Sequence, residues 1–299
     1  LMLGSVVAAL ADTLAWLAIG RLLQGSGAIA SATMALAADY TRVEQRTKAS
    51  AIIGASIGVS FALALVLGPV LAAWGGLSRV FETTAILGGL GLLVVVFWLP
   101  PTPNISEAGR SHIADRERLG EALWGRGLGA LYGSIFCLHL LLMAAFTAIP
   151  SVMINEVALP PEQHAWMYLI TLMGALPGVA ILVRINRHMA DPRGLIAVAI
   201  LLTVAGLVVA LWSLSAWTLG LGLVLFFAGF TALETILPAL VSMFAPATLR
   251  GTAMGIFSSA QFLGVFAGGA LGGNALYWGG YEGLVTAVLG LTLIWLLGL

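Results

Sequence analysis

Apolar stretches of about 20 residues recur along the whole sequence, and they constrain its fold more than any other feature. A stretch of this length crosses roughly 30 Å of hydrocarbon as an α-helix. The runs 85–99 and 195–214 are almost continuously apolar, whereas the strands of a transmembrane barrel alternate apolar and polar residues. Since 60% of the residues are hydrophobic and 9% are charged, the sequence predicts an all-α polytopic membrane protein.

The apolar pattern predicts ten helical segments, and the charged residues give them a topology. Eleven of the thirteen Lys and Arg residues fall in alternate loops, which the positive-inside rule assigns to the cytoplasm. Of the other two, Arg79 lies in an intervening loop and Arg21 lies inside a segment. The predicted segments are 1–10, 15–39, 47–75, 80–99, 127–152, 164–185, 194–213, 216–245, 250–275 and 281–299.

The longest polar stretch, 100–126, is predicted to be a cytoplasmic linker. It separates an upstream half, 1–99, from a downstream half, 127–299. The upstream half contains four of the predicted segments and the downstream half contains six.

An internal repeat relates the two halves. The run that begins at Arg46 resembles the run that begins at Arg250, 204 positions later, and the same offset pairs Gly25 with Gly229. Under this offset the first two segments of the downstream half have no counterpart in the chain. We therefore expect a parent of two six-helix bundles, of which this N-terminally truncated chain holds about ten helices, from part of helix 3 to helix 12.

Two motifs resemble a known family. The run Arg21-Leu-Leu-Gln-Gly-Ser-Gly27 resembles the fourth-helix motif of the major facilitator superfamily, and Gly54, Gly58 and the Gly68-Pro69 pair resemble its glycine-rich fifth-helix antiporter motif. The resemblance covers essentially the whole chain and is strongest to the drug:proton antiporter group. It implies a major facilitator fold and proton-coupled efflux of a small molecule through the bacterial cytoplasmic (inner) membrane.

Three residues inside predicted spans are candidates for proton coupling: Arg21, Glu234 and His139. An intramembrane Arg costs at least about 2.5 kcal/mol by insertion scales, so Arg21 is expected to have a protein partner unless it snorkels to the interface. The resemblance of the run around Arg21 to the fourth-helix motif implies that Arg21 takes part in proton coupling. A carboxyl such as Glu234, which takes up a proton on one side and releases it on the other, couples a proton gradient to transport; the alternative is a neutral acid that only hydrogen-bonds. His139 either titrates or only hydrogen-bonds a neighbouring helix.

Small and polar residues supply the other candidates. Glycines spaced along one helix face allow helices to approach closely and to slide, which alternating access requires, although ordinary packing explains each glycine singly. The gating and packing candidates are Gly25, Gly54, Gly58, Gly68, Pro69, Gly264, Gly268 and Gly272. The candidates for the substrate cavity are the amides Gln24, Gln261 and Asn274.

A cytoplasmic charge cluster is also predicted, either as a latch between helix ends or as solvated helix ends. Its members are Asp39, Arg42, Arg46 and Arg250.

The absence of common nucleotide-binding and catalytic motifs narrows the range of possible functions. The sequence contains no P-loop, no metalloprotease motif and no nucleophile elbow, so we expect neither an enzyme nor a metal site or cofactor. The expected partners are a small-molecule substrate, protons and the lipid bilayer, without nucleic acid, and the protein is expected to be a monomer. Two other functions remain open: uptake or facilitated diffusion of a sugar or similar nutrient, and a membrane receptor without flux.

Overall fold

The structure is a computed structural model that describes residues 1–26, 33, 40–41, 45–99, 120–123, 125, 127–186, 191–246 and 249–299. The side chains of 26, 46–51, 54, 55, 57, 58 and 250 are outside this description. The chain divides into two compact units, Leu1–Ile113 and Ala114–Leu299. The boundary falls within the stretch 100–126 that the sequence marks as a linker.

The first unit contains three described helices. The short α1 packs against both of the others, and its Gly4 lies so close to Gln24 and the carbonyl of Gly20 that a Cβ atom would overlap them. The helices are α1 (Met2–Ala9), α2 (Leu14–Ser26) and α3 (Arg46–Trp98).

Helix α3 consists of two arms, 46–74 and 77–98, that meet at a pair of glycines. Gly76 has φ +71°, a left-handed conformation that side chains rarely adopt. The backbone of Pro69 stays helical, so the chain changes direction at the glycines and not at the proline. This break matches the loop predicted between 75 and 80.

The second unit contains five helices among the described residues. Helix α8 is again broken by a glycine with positive φ, Gly280 at +57°, which matches the loop predicted between 275 and 281. The five helices are α4 (Leu128–Asn155), α5 (Pro161–Asn186), α6 (Arg193–Leu211), α7 (Ala216–Phe244) and α8 (Arg250–Leu297).

The core of the second unit lies around α4 and α7, where apolar side chains such as Leu138, Ile149 and Phe226 are fully buried. The outer sides of α5 and α8 instead expose large apolar side chains, including Trp166 and Phe266. Exposed apolar side chains of this kind are expected where hydrocarbon is the solvent.

Six helical stretches among the described residues are long and apolar enough to cross a membrane. Two of them contain the glycine breaks, at 75–76 and at 280. The predicted segments therefore correspond to observed helices, with ends that differ by a few residues. The predicted segment 15–39 is described as helix α2 only as far as Ser26, and its remainder lies outside the described residues apart from position 33.

Glycines bring α8 into direct backbone contact with α4. A Cβ atom at Gly264 would overlap the carbonyl of Phe136, one at Gly268 would overlap the carbonyl of Leu140, and one at Gly272 would lie 2.7 Å from the Cα of Ala144. These glycines recur at intervals of four residues, so they form one face of the helix. Small residues on such a face allow two helices to approach closely in lipid, where no hydrophobic drive brings them together.

We expect Gly268→Ala to destabilise the full-length native protein, because its added methyl group would overlap backbone atoms of Leu140 that cannot rotate away. Overpacking of this kind costs roughly 1–3 kcal/mol. Thermal unfolding in detergent should show a lower midpoint. The matched control is Gly269→Ala, whose Cβ would meet no atom of the described residues within 4 Å; equal midpoints for the two variants would contradict the packing.

Candidate functional site

His139 lies in the middle of α4 and is 6% exposed. Its Nδ1 is 3.3 Å from the carbonyl oxygen of Ile135, one turn earlier on the same helix. A carbonyl oxygen can only accept a hydrogen bond, so Nδ1 is assigned the hydrogen. In the neutral ring the other nitrogen, Nε2, is then an acceptor with one lone pair.

Gln261 reaches that lone pair from α8. The distance between its Nε2 and Nε2 of His139 is 2.8 Å, and the amide is the donor because the imidazole nitrogen has no hydrogen in this tautomer. The bond joins residues 122 positions apart. It therefore links α4 and α8 across the interface that the glycines pack, one turn before Gly264.

Glu234 approaches the same nitrogen from α7. Its Oε1 lies 3.6 Å from Nε2 of His139, beyond hydrogen-bond length. Oε1 is buried and has no hydrogen-bond partner in the part of the chain that the structure describes. An unpaired carboxylate in a low-dielectric setting is costly, whereas a protonated carboxyl can donate to Nε2 and a protonated imidazole can donate to the carboxylate. The pair is therefore arranged to take up a proton.

We call these three residues, His139, Gln261 and Glu234, the polar triad. His139 and Gln261 each lie eleven residues after the start of their helices, and Glu234 lies ten residues before the end of α7. At 1.5 Å per residue these positions are about 15–17 Å from the helix ends, about half of the roughly 30 Å of hydrocarbon. The triad thus lies near the middle of membrane-length helices.

The other charged residues of the second unit's described helices lie near helix ends or near the break of α8 at Gly280, so they are remote from the triad along the helix axes. They are Glu162, Arg184, Arg193, Arg250 and Glu282. No group of three or more His, Cys, Asp or Glu side chains that would hold a metal ion occurs among the described residues.

Aromatic rings surround one side of the triad. Phe230 meets the His139 ring edge-on, with centroids 5.7 Å apart, and stacks on Phe226 at 5.9 Å. Both phenylalanines are buried. These rings exclude water from His139 and lower the local dielectric, which strengthens every electrostatic interaction inside the triad.

Arg21, in the first unit, has the partner that the sequence predicts for an intramembrane Arg. Its Nη1 donates to Oε1 of Gln24 at 2.7 Å, and its guanidinium lies 5.9 Å from the ring centroid of Phe81. Gln24 in turn donates to the hydroxyl of Ser5 at 2.6 Å. Gln24 and Ser5 are buried, so α2 and α1 are joined by a hydrogen-bonded chain.

The remaining candidates of the first unit show fewer contacts. A Cβ atom at Gly25 or Gly68 would meet no atom of the described residues within 4 Å. Gly54 and Gly58 lie in the first arm of α3, in the part whose side-chain surroundings are not described.

Asn274 and the predicted charge cluster are not brought to the triad by any described contact. The amide of Asn274 is exposed and donates to the carbonyl of Ala270 on its own helix at 2.9 Å. Asp39 and Arg42 lie outside the described residues, and the side chains of Arg46 and Arg250 do as well. The charge cluster stays a prediction.

Sequence reasoning missed the convergence of the triad and the partners of Arg21. It predicted Gln261 as a residue of the substrate cavity, which stays a prediction, and did not predict the hydrogen bond of its amide to His139. It did not single out Ser5, Phe81 or Phe230. The available signal is that isolated polar residues in apolar helices must find partners, but sequence spacing alone does not say which ones.

Comparisons with known proteins define the family. The family model described as Major Facilitator Superfamily matches residues 1–131. The chain is 39% identical, over 98% of its length, to the inner membrane transport protein YajR of Escherichia coli (strain K12), and covers 64% of it. It is 30% identical, over 91% of its length, to an uncharacterized transporter of Buchnera aphidicola (subsp. Baizongia pistaciae), and covers 70% of it. The chain belongs to the major facilitator superfamily.

Membership of the major facilitator superfamily makes the chain a multi-pass protein of the inner membrane in a family of transporters and not of enzymes. This major facilitator chain spans less than two thirds of the length of its E. coli relative.

Two solved transporters share the major facilitator fold with this chain. One is the human organic anion transporter MFSD10 (TETRAN), with a TM-score of 0.67 and 20% identity over 99% of this chain and 74% of that one. The other is a bacterial homolog of the human lysosomal transporter Spinster, inward-facing and unoccupied, with a TM-score of 0.64 and 14% identity over 99% and 78%. At these identities the likeness shows the fold alone.

Gln24→Leu should destabilise the full-length native protein, because it removes the acceptor of Arg21 and the donor to Ser5 while preserving the approximate side-chain volume. The loss of these two hydrogen bonds, one of them to a charged group, costs about 1–3 kcal/mol. Thermal unfolding in detergent measures the effect. The matched control is Gln163→Leu at an exposed position of α5; a Gln24 variant as stable as this control would show that the hydrogen-bonded chain contributes nothing.

Proposed function

We propose that this protein is a proton-coupled secondary transporter that exports a small molecule by antiport. Transport would proceed by alternating access between two helical halves, 1–99 and 127–299, joined by the linker 100–126. The observation that carries the proposal is the buried Oε1 of Glu234, which has no hydrogen-bond partner among the described residues and lies 3.6 Å from an imidazole nitrogen near the middle of a membrane-length helix.

The chemistry of this pair supports proton coupling. An intramembrane acid is expensive and is a functional site by default. Glu234 can exist as a neutral acid that donates to His139, or as a carboxylate once it has lost its proton, so its charge depends on the side of the membrane that it faces. Its side chain is 28% exposed, against 8% for His139. Glu234 is therefore the more exposed side chain of the pair, and His139 is its buried partner.

Arg21 supports the same function from the first unit. Its positive charge lies within an apolar helix, is held by Gln24 and lies over Phe81. The motif around Arg21 resembles the fourth-helix motif of drug:proton antiporters, which favours antiport over other coupling. We propose that Arg21 contributes to proton coupling and that Gln24 fixes its side-chain position.

The glycine face of α8 supplies the mechanical part of the proposal. Gly264, Gly268 and Gly272 let the backbones of α8 and α4 touch. A helix face of small residues opposes small sliding movements less than a closely interdigitated one, and alternating access requires such movements.

The test is transport by the full-length native protein in liposomes under a pH gradient. The panel should contain lipophilic cations, organic anions and sugars, because the first two suit an exporter and the third suits the competing nutrient transporter. We expect an exported compound to drive proton movement in the opposite direction. Flux of a sugar that ignores the pH gradient would contradict the proposal and favour facilitated diffusion.

Glu234→Gln should reduce substrate-driven proton movement to the background of empty liposomes, because the amide keeps the shape of the side chain but cannot exchange a proton. The matched control is Glu282→Gln, an exposed acid near the break of α8, which should keep coupled flux. Proton-coupled flux that persists in Glu234→Gln would show that the proton travels elsewhere, and Arg21→Ala would then be the variant to examine.

A further inference from the structure

The Nε2 lone pair of His139 has two candidate donors and can satisfy only one of them well. Because Nδ1 is committed to the carbonyl of Ile135, Nε2 is the only acceptor on the ring. Gln261 occupies it at 2.8 Å. Glu234 lies 3.6 Å away with an oxygen that has no hydrogen-bond partner among the described residues.

The two donors belong to different helices. Gln261 links His139 to α8, and Glu234 would link it to α7. A hydrogen bond from a carboxylic acid to an imidazole nitrogen is shorter and stronger than one from an amide. A protonated Glu234 would therefore displace Gln261, whereas a charged Glu234 has no hydrogen to donate and leaves the amide in place.

The position of Gln261 gives this competition a structural consequence. Gln261 precedes Gly264 by three residues, so it lies on the face of α8 that contacts α4, where Gly264 meets the backbone of Phe136. The described interface there consists of backbone and small side chains, and Gln261 contributes a side-chain hydrogen bond across it. Releasing that bond would loosen α8 from α4 one turn before Gly264, where the two backbones touch.

Other titratable groups on the helices packed around α4 are remote from His139. Tyr168 of α5 stacks on Phe146, about two turns from His139 along α4. On α4 itself, Cys137 and Tyr132 are the other titratable groups. The rest lie near helix ends or near the break of α8 at Gly280: Glu162, His164, Arg184, Arg193, Arg250, Tyr277, Tyr281 and Glu282.

We propose that Gln261 is a positioning residue that competes with protonated Glu234 for the Nε2 lone pair of His139. Uptake of a proton by Glu234 exchanges the Gln261–His139 hydrogen bond for an α4–α7 hydrogen bond and loosens the first arm of α8, 250–279, from α4. Tyr281 and Trp295 in the second arm of α8 keep their hydrogen bonds to Ser151 and Ser134 on α4. Release of the proton restores the amide bond. This inference rests on the proposed function, because it assigns a mechanism to the same proton site.

The test is solid-state ¹⁵N NMR of the histidine-labelled, full-length native protein in lipid bilayers across a pH series. The sequence contains four histidines, so the His139 signals are identified as those that disappear in His139→Gln. We expect Nδ1 to stay protonated while the Nε2 signal changes with pH, as the donor changes from amide to carboxylic acid. The pH dependence should vanish in Glu234→Gln.

Gln261→Leu is the decisive variant. Without the competing amide, protonated Glu234 can donate to Nε2 without displacing another donor. The pH at which the Nε2 signal changes should therefore rise by up to about one unit, the shift expected from one competing hydrogen bond. Ser259→Ala, which removes a hydroxyl bonded only within α8, is the matched control and should behave as the wild type. Gln261→Asn, whose shorter amide would not reach His139, replaces the Leu variant if that variant does not fold.

Three results would overturn the inference. These are a wild-type Nε2 signal and midpoint in Gln261→Leu, an imidazolium signal from His139 in place of the exchange, and an Nε2 signal that does not change with pH. If coupled flux is found with any of these results, the proposed function stands and the competition is wrong. If the NMR exchange is found without coupled flux, the competition stands and the proposed function is wrong.

Discussion

Hydrocarbon offers no hydrogen-bond partner, so every polar side chain inside an apolar helix of this protein must find its partner within the chain or carry a large free-energy cost. The two units meet this constraint in a similar way. In each unit a glutamine amide hydrogen-bonds an ionisable side chain: Gln24 joins Arg21 to Ser5, and Gln261 on α8 donates to His139 on α4. The amide serves well because it both donates and accepts.

The two networks differ in one respect that bears on function. In the first unit Gln24 uses both ends of its amide, its oxygen towards Arg21 and its nitrogen towards Ser5. In the second unit the network stops short, because Oε1 of Glu234 remains buried without a hydrogen-bond partner in the described residues. A satisfied network stabilises one arrangement, whereas an unsatisfied acid next to an acceptor nitrogen has a reason to bind a proton. This difference is why we propose that Glu234 is the proton-coupling residue and that Gln24 is a positioning residue.

Much of the fold could be predicted from the sequence, because hydropathy and glycine position are local signals. The apolar runs gave helix ends to within a few residues, and the breaks at Gly76 and Gly280 fall where short loops were predicted. The partners of the polar residues could not be predicted in the same way. His139 and Gln261 are 122 positions apart, and their contact depends on how α8 packs against α4, which the glycine pattern permits but does not specify.

The central claim is that Glu234 gains and loses a proton during transport. Infrared difference spectroscopy of the full-length native protein in bilayers tests it most directly, by comparing the substrate-bound with the substrate-free state in the C=O stretching region of protonated carboxyl groups. We predict a difference band that is absent from Glu234→Gln and present in Glu282→Gln. A band that is unchanged in Glu234→Gln, or no band in the wild type while substrate is transported, would contradict the account.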